Sequence, residues 1–314
     1  MARADLARAD LAQLDLAQAS RCAIPSAMSA PRLFDRALIA RRLDRALAAS
    51  PADFLLRRVA EDLEERLALV KRRFADALDL GTPGPHAAAV LTAERVTRIA
   101  PTAASLGAGR FAGVIGEPDQ SPIGEAAFDL AVSLLALHAL DDLPGVLIQL
   151  RRALKPDGLL LAALPGGETL SELRESLIVA ESELTGGASP RVMPFADART
   201  LGGLLQRAGF ALPVVDSDRF TVRYADMFAL MRDLRAFGAT NPLIERSRRF
   251  ARRELFLRAG GIYAERFADA DGRVRATFEI LWLSGWAPHP RQPKPLAPGS
   301  ALMRLEDALK QKRP

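Results

Sequence analysis

The stretch that decides the fold runs from Phe128 to Arg174 and reads FDLAVSLLALHALDDLPGVLIQLRRALKPDGLLLAALPGGETLSELR. It contains two nearly unbroken apolar runs, Phe128–Leu137 and Leu159–Leu164, which are typical of strands buried on both faces of a sheet. Between them, leucines recur at helical spacing over residues 143–154. Two buried strands joined by a helix form a βαβ unit, so we expect a parallel sheet with a right-handed crossover.

Polar and glycine-containing segments mark where these elements begin and end. Asp141 and Asp142 are N-cap candidates for the helix, and Pro144 falls in its first turn, where a missing N–H costs nothing. The Lys-Pro-Asp-Gly segment at 155–158 predicts a turn before the second strand. The Thr-Leu-Ser-Glu segment at 169–172 fits a capping box that opens a further helix.

The whole stretch resembles the middle of a class I S-adenosylmethionine-dependent methyltransferase, and the resemblance extends more weakly from about Phe34 to Trp286. Within that superfamily the stretch is most similar to complex I assembly factors described as protein-arginine hydroxylases, and to their alphaproteobacterial relatives. A looser similarity runs to the carboxyl methyltransferase of biotin synthesis. The resemblance implies an α/β, Rossmann-like seven-stranded sheet of order 3-2-1-4-5-7-6 with N-terminal helices.

The chain divides into three predicted segments. Residues 1–30 carry a short Ala-Asp-Leu period without an apolar face, so we expect disorder or a frayed helix, with Met28 as an alternative start. Residues 31–286 form the methyltransferase-like domain. Residues 287–314 begin rich in proline and end basic, which predicts a mobile tail.

Several elements of the domain follow from local patterns. A basic amphipathic helix is predicted over 34–49, and a second helix begins at Ser50-Pro51; the pair serves either as a lid over the cofactor or as core. Residues 211–216 and 219–224 read as two pieces of strand, and residues 246–267 read as an arginine-rich helix.

The predicted first strand, 74–80, runs into a glycine-containing loop before an alanine-rich helix, the position of a cofactor loop in such folds. The superfamily pattern is acid-x-Gly-x-Gly-x-Gly. Proline stands at 83 and 85, where later glycines belong, and proline removes an N–H and fixes φ. The cofactor-binding residues that the resemblance implies are Asp79, Gly81, Thr82, Gly84, Glu117 and Leu135.

Two further carboxylates usually hold the cofactor in this superfamily. The acid for the ribose hydroxyls is missing at the matching positions, 98–101. An acid near the adenine amino group is present as Glu117 or Asp119, of which Glu117 aligns better; either could also be a solvated loop acid. We therefore expect S-adenosylmethionine to bind weakly, or only with a partner protein completing the site.

Catalytic and substrate residues are sought at the carboxyl edge of the sheet, where α/β folds bind ligands. His138 follows the fourth strand and is either a base that accepts a proton from the acceptor or a histidine satisfied at the edge of the core. The residues expected to line the substrate pocket are Gly166, Gly167, Glu168 and Thr169.

Composition restricts the partners. The 314 residues carry a formal charge of +5, but the arginines are spread among acids, so no nucleic-acid partner is expected. No apolar run reaches the length of a membrane span, and we expect a cytoplasmic protein, with peripheral contact to the inner membrane as an option. One cysteine, Cys22, and three scattered histidines predict neither a disulfide nor a metal site.

Three functions follow from these patterns. The first is a methyltransferase-superfamily enzyme acting on a protein, with a complex I subunit as the expected client, or on an acyl-carrier-bound substrate. The second is an assembly factor or chaperone that keeps the fold without turnover. The third, an NAD-dependent oxidoreductase, lacks both Gly-x-Gly-x-x-Gly after the first strand and the acid that follows it.

Overall fold

The computed structural model describes residues 32–49 and 52–293. They form one seven-stranded sheet of order β3-β2-β1-β4-β5-β7-β6, which confirms the predicted order. The five strands from β3 to β5 are parallel, while β7 pairs antiparallel with both β5 and β6. The strands are β1 Asp76–Leu80, β2 Arg95–Ala100, β3 Ala112–Ile115, β4 Phe128–Leu134, β5 Leu154–Pro165, β6 Ala211–Tyr224 and β7 Val274–Trp286.

Helices cover both faces of the sheet, and several begin at an aspartate whose side chain accepts a backbone N–H. Asp142 caps the helix between β4 and β5, as its position after the fourth strand predicts. The helices are α1 Arg36–Ala48, α2 Phe54–Leu69, α3 His86–Val90, α4 Ala103–Leu106, α5 Leu143–Ala153, α6 Ser171–Thr185, α7 Ala198–Arg207, α8 Met227–Ala236 and α9 Arg253–Phe267.

The central strands are buried on both faces, as their apolar composition predicts. Along β5, Leu159 and Leu161 join the core beneath α2, α6, α8 and α9, whereas Leu160 and Leu164 join the core beneath α5 and α7. The strand therefore separates two apolar layers and cannot lie at an edge of the sheet. The exposed edges are β3, whose four residues are all exposed, and the long β6.

The predicted capping box at 169–172 is wrong. α6 follows Leu170, which has a left-handed φ of 56° and offers no side-chain cap. Thr169 instead bonds to the backbone of β7, where its Oγ1 donates to the Glu279 carbonyl at 2.9 Å. The carboxylate of Glu172 turns to the same strand and accepts the Thr277 amide at 3.1 Å. Contacts with a distant strand therefore replace the local cap.

The predicted turn at 155–158 is also wrong, because these residues belong to β5. The pairing register shifts between Phe128 opposite Leu154 and Leu130 opposite Leu159, so the additional residues are accommodated as an irregularity within the strand pair. Asp157 takes a positive φ of 65° there. The Pro-Asp-Gly signal thus marks a bulge and not a turn.

Three boundaries differ from expectation. β6 is one continuous strand, since its backbone pairs with that of β7 along nearly its whole length. Residues 246–252 are irregular, and α9 begins only at Arg253. Residues 287–293, predicted as part of a mobile tail, are hydrogen-bonded to β5 through Ala287 and Gln292. The predictions for residues 1–30, for Ser50-Pro51 and for the tail from 294 concern residues outside the described ranges.

Candidate functional site

The loop that follows β1 is held from inside the protein by a buried arginine. Arg98 on β2 donates from Nε to Asp79 Oδ2 at 2.7 Å, and from Nη2 to the carbonyls of Thr82 at 2.9 Å and Gly84 at 2.5 Å. The side chains of Asp79 and Arg98 are both fully buried. Arg98 stands where the sequence lacks the expected acid, and its function as a brace for the loop was not anticipated.

Asp79 keeps one free acceptor beside this brace. Its Oδ1 is buried and makes no hydrogen bond of ordinary geometry to a described residue, although the hydroxyl and amide of Thr82 lie near enough to lower the pKa of the carboxyl. Burial raises the pKa of Asp79 to about 6, although the charge of Arg98 opposes that rise. A buried and unsatisfied carboxylate oxygen is costly unless a donor reaches it, so this atom is suited to bind a ligand cation such as an ammonium group.

Gly81, Thr82 and Gly84 shape the rest of the loop. Gly81 has a φ of 77°, and an added Cβ would lie 3.0 Å from Ala136 Cβ, so only glycine fits. Thr82 is buried and its Oγ1 accepts the Leu134 amide at 3.0 Å. The amides of Gly81 and Gly84 donate to backbone carbonyls within the protein. Because prolines occupy 83 and 85, the loop offers few amides to a ligand.

A carboxylate does reach the end of β2, but it comes from α1. β2 ends at Ala100 without an acid, as the sequence indicates. Two residues later, the Thr102 hydroxyl donates to Asp44 Oδ1. No ion pair to Asp44 is present within the described part of the chain. Sequence reasoning missed Asp44, since 58 positions separate it from Thr102.

Glu117 follows β3 and is engaged by another residue of α1. The Arg36 guanidinium donates from Nη1 to Glu117 Oε2 at 3.2 Å, and it also contacts Asp119 and Asp141. Burial raises the pKa of Glu117, while the charge of Arg36 opposes that rise. A ligand that uses the Glu117 carboxylate must therefore share it with Arg36.

His138 and Leu135 lie at the end of β4 and both line a cavity. Burial lowers the pKa of His138 to about 4, so its imidazole is neutral at physiological pH. Its Nδ1 is buried without a hydrogen-bond partner among the described residues, and its ring lies 6.0 Å from that of Phe195. The imidazole is thus available to accept one hydrogen bond from a bound group.

The predicted pocket residues after β5 separate into two groups. Thr169 lines the cavity, whereas Gly166, Gly167 and Glu168 are absent from its wall. Gly166 packs against the Glu279 carboxylate, which would lie 2.4 Å from an added Cβ. That carboxylate also accepts the Glu168 amide at 3.0 Å. The Gly-Gly-Glu segment therefore fixes β5 to β7.

The cavity itself has a volume of about 510 Å³ and lies between α1, α2 and α8 and the carboxyl ends of β4 and β5. Its wall is largely apolar, which is usual for a site that takes a small organic molecule or side chain. No group of three or more metal-binding side chains occurs in the described ranges. The charged residues in the wall are Arg42, Asp53, Arg191, Arg235 and Arg246.

Comparison with solved structures agrees with this architecture. A methyltransferase-like protein from Bacillus halodurans aligns with a TM-score of 0.51 at 17% identity, over 73% of this chain and 98% of that one. The YcgJ protein of Bacillus subtilis aligns with a TM-score of 0.52 at 12% identity, over 73% of this chain and 99% of that one. At these identities the matches establish the fold alone.

Sequence comparisons identify the family. Residues 52–213 match the family model described as a methyltransferase domain. The chain is 38% identical to "Arginine-hydroxylase NDUFAF5, mitochondrial" of Danio rerio, over 91% of this chain and 92% of that protein, and 36% identical to the Homo sapiens protein of that name, over 88% and 84%. It is 32% identical to a malonyl-[acyl-carrier protein] O-methyltransferase of Laribacter hongkongensis, over 86% and 96%. The chain therefore belongs to the methyltransferase-domain family, together with these arginine hydroxylases and O-methyltransferases.

Proposed function

We propose that this protein is an S-adenosylmethionine-dependent enzyme that modifies a protein client during assembly of respiratory complex I. The observation that carries the proposal is 36–38% identity, over most of the chain, to several proteins named arginine-hydroxylase NDUFAF5. The client is a complex I subunit. We place the protein in the bacterial cytoplasm, in peripheral contact with the inner membrane, although those relatives are mitochondrial by name. In the described ranges, no helix is both long and apolar enough to span a membrane.

The residues at the carboxyl edge fit the amino-acid half of the cofactor better than its nucleoside half. Asp79 Oδ1 is an unsatisfied buried acceptor suited to the ammonium group, and Leu135 packs at the same edge. Gly81 and Gly84, both with positive φ, allow the chain to approach a ligand closely. For the ribose hydroxyls the structure supplies Asp44 in place of an acid on β2. For the adenine amino group Glu117 remains, in contact with Arg36.

This arrangement supports weak or partner-dependent binding of the cofactor. Each charge-assisted hydrogen bond that is lost costs about 1.5–3 kcal/mol, or roughly 10- to 150-fold in affinity. The loop amides of Gly81 and Gly84 are used internally, and Glu117 is shared with Arg36. A client protein that drew the Arg36 side chain away from Glu117, and left Asp44 in place, would free the Glu117 carboxylate and so raise the affinity.

When bound, S-adenosylmethionine supplies an activated methyl group, so the protein contributes mainly position and a low-dielectric environment. The apolar wall excludes water from the acceptor. His138, which is neutral at pH 7, accepts a hydrogen bond from the acceptor group through Nδ1; its lowered pKa of about 4 makes it a weak base. Thr169 also lines the cavity and orients the acceptor.

The test is incubation of the purified protein with the cofactor and with purified complex I subunits, followed by intact-mass analysis of each subunit. The proposal predicts a cofactor-dependent mass gain equal to a methyl group on one subunit, with release of S-adenosylhomocysteine. A gain of one oxygen atom requires added O₂ and a reductant, because S-adenosylmethionine carries no transferable oxygen, and would indicate hydroxylation in place of methylation. A stable complex with a subunit that shows no mass change in either reaction, under turnover conditions, would favour an assembly factor without catalysis.

A second candidate is O-methylation of a carrier-bound carboxylate. One structural observation favours it: four of the five charged residues in the cavity wall are arginines, which suits an anionic acceptor. Relatives named malonyl-[acyl-carrier protein] O-methyltransferase support it at 32–38% identity. Transfer of labelled methyl to malonyl-carrier protein, and to no complex I subunit, would establish this second function.

A further inference from the structure

Arg42, a cationic residue of α1, lines the apolar cavity. Its Nη1 donates to two backbone carbonyls, Thr240 at 2.9 Å and Asn241 at 2.8 Å, and this uses both hydrogens of that nitrogen. Its Nε and Nη2 have no acceptor within the described part of the chain. Neither atom is among the buried unpartnered groups, so both remain accessible to a ligand or to solvent.

Arg42 has no close counter-charge, although the Asp35 carboxylate raises its pKa from a distance. No described carboxylate forms an ion pair with it, and the neighbouring cavity residue Arg246 is already neutralised by Asp35, 3.0 Å from its Nη2. Burial lowers the pKa of Arg42, and the nearby charge of Arg246 lowers it further. A partly buried guanidinium beside a second guanidinium gains more from a bound anion than a fully solvated one does.

The rest of the wall does not supply that anion. Asp53 is the one carboxylate that the described residues contribute to the wall, and its Oδ1 accepts from Arg57 at 2.7 Å. Arg191 is paired with Glu181, and Arg235 adds another positive charge at the exposed end of α8. The cavity therefore carries excess positive charge together with a long apolar surface.

The position of Arg42 is built into the fold. The segment after α8 approaches α1 at backbone distance, since a Cβ added to Gly238 would lie 3.1 Å from Leu43 Cα. The backbone of Asp35 donates to the Pro242 carbonyl at 2.9 Å, which fastens the start of α1 to the same segment. This close approach holds the two acceptor carbonyls against Arg42 Nη1 and leaves Nε and Nη2 without an acceptor among the described residues.

We propose that Arg42 is the anion-binding residue of this cavity and that the cavity takes an apolar chain ending in a carboxylate. The inference names the substrate class of the pocket and rests on the proposed function in treating the cavity as the substrate pocket. A carboxylate ligand agrees with the second candidate function, because a wall that favours anions disfavours a cationic side chain. A guanidinium fork and a carboxylate match in geometry as well as in charge. A cavity of about 510 Å³ accommodates such a chain.

The test uses three probes of equal chain length, octanoate, octanol and octylammonium, titrated calorimetrically into the full-length protein without cofactor or client. Octanoate is expected to bind at least 10-fold more tightly than octanol, and octylammonium more weakly than both. Arg42→Gln should reduce octanoate affinity by roughly 10- to 150-fold, the range for a hydrogen bond to a charged group. Arg45→Gln, on the exposed face of the same helix, is the matched control and should leave it unchanged.

Equal binding of octanoate and octylammonium by the unmodified protein would overturn the proposal, and this comparison does not depend on any variant folding. An unchanged octanoate affinity in a folded Arg42→Gln protein would overturn it as well. The peptide acetyl-Leu-Glu-Leu-amide distinguishes the source of the carboxylate: Arg42-dependent binding of the peptide and not of octanoate assigns the site to an acidic client segment. Because no turnover is measured, failure of methyl or oxygen transfer leaves this result intact.

Discussion

Replacement of Arg98 by methionine should destabilise the protein more than any change to a surface ion pair. The substitution keeps most of the side-chain volume but removes the guanidinium that bonds to Asp79 and to the carbonyls of Thr82 and Gly84. Removal of one partner of a buried ion pair costs about 3–5 kcal/mol, because the other charge stays buried without compensation.

The loss of stability in Arg98→Met should depend on pH, and the direction of that dependence follows from the pKa of Asp79. The pKa of Asp79 in the folded protein, about 6, lies above the value near 3.9 of the unfolded chain, so its contribution to stability is favourable at low pH and is lost as pH rises through 6. Without Arg98 the folded pKa rises further. The Arg98→Met penalty should therefore be larger at pH 8 than at pH 5.5.

Urea unfolding at both pH values measures the penalty directly. Arg95→Met is the matched control: Arg95 lies on the same strand and pairs with Asp76, but its side chain is 70% exposed, so a cost below about 1 kcal/mol is expected. Asp79→Asn combined with Arg98→Met should recover part of the loss at pH 8. A penalty for Arg98→Met that is under about 1 kcal/mol, or equal at both pH values, would refute the reasoning.

Three further changes have defined outcomes. His138→Asn should remove a loss of stability that grows as pH falls from 6.5 towards 4, since the pKa of His138 in the folded protein is lowered to about 4. The effect of the substitution on the free energy of unfolding should be more favourable at pH 5 than at pH 8 by up to about 2 kcal/mol. Equal shifts of the urea midpoint at both pH values would contradict this. Gly238→Ala should cost about 1–3 kcal/mol, because the residue has a φ of 75° and the new Cβ meets Leu43; a melting temperature equal to the parent's would show that α1 yields easily. Asp44→Asn should weaken S-adenosylhomocysteine binding by roughly 10-fold or more without changing stability by more than about 0.5 kcal/mol; undiminished affinity would remove Asp44 from the site.

The sheet order could be predicted from the sequence because burial on both faces leaves a strong signal. The apolar runs around β4 and β5 restrict those strands to the centre. The capping box failed for the opposite reason. Glu172 satisfies the local pattern, yet Thr277 on a strand 105 residues away offers its carboxylate better partners.

The site could be predicted only in part, since its remaining side chains come from α1. The sequence correctly indicates that β2 ends without an acid, but nothing local to β2 indicates that Asp44 is brought to Thr102. In the same way, Arg36 reaches Glu117 across 81 positions, and the contact between Arg42 and Thr240 spans 198. Such pairings depend on how the N-terminal helix crosses the edge of the sheet, which periodicity does not encode.

We propose that the protein accepts S-adenosylmethionine with weakened contacts. Calorimetric titration of the full-length protein with S-adenosylhomocysteine tests it most directly. We expect saturable binding that is roughly 10- to 150-fold weaker than micromolar, which is the loss of affinity for one missing charge-assisted hydrogen bond. Binding should become tighter once a client protein is added. A dissociation constant near one micromolar for the protein alone would contradict it, because Glu117, shared with Arg36, and the internally bonded loop would then impose no cost.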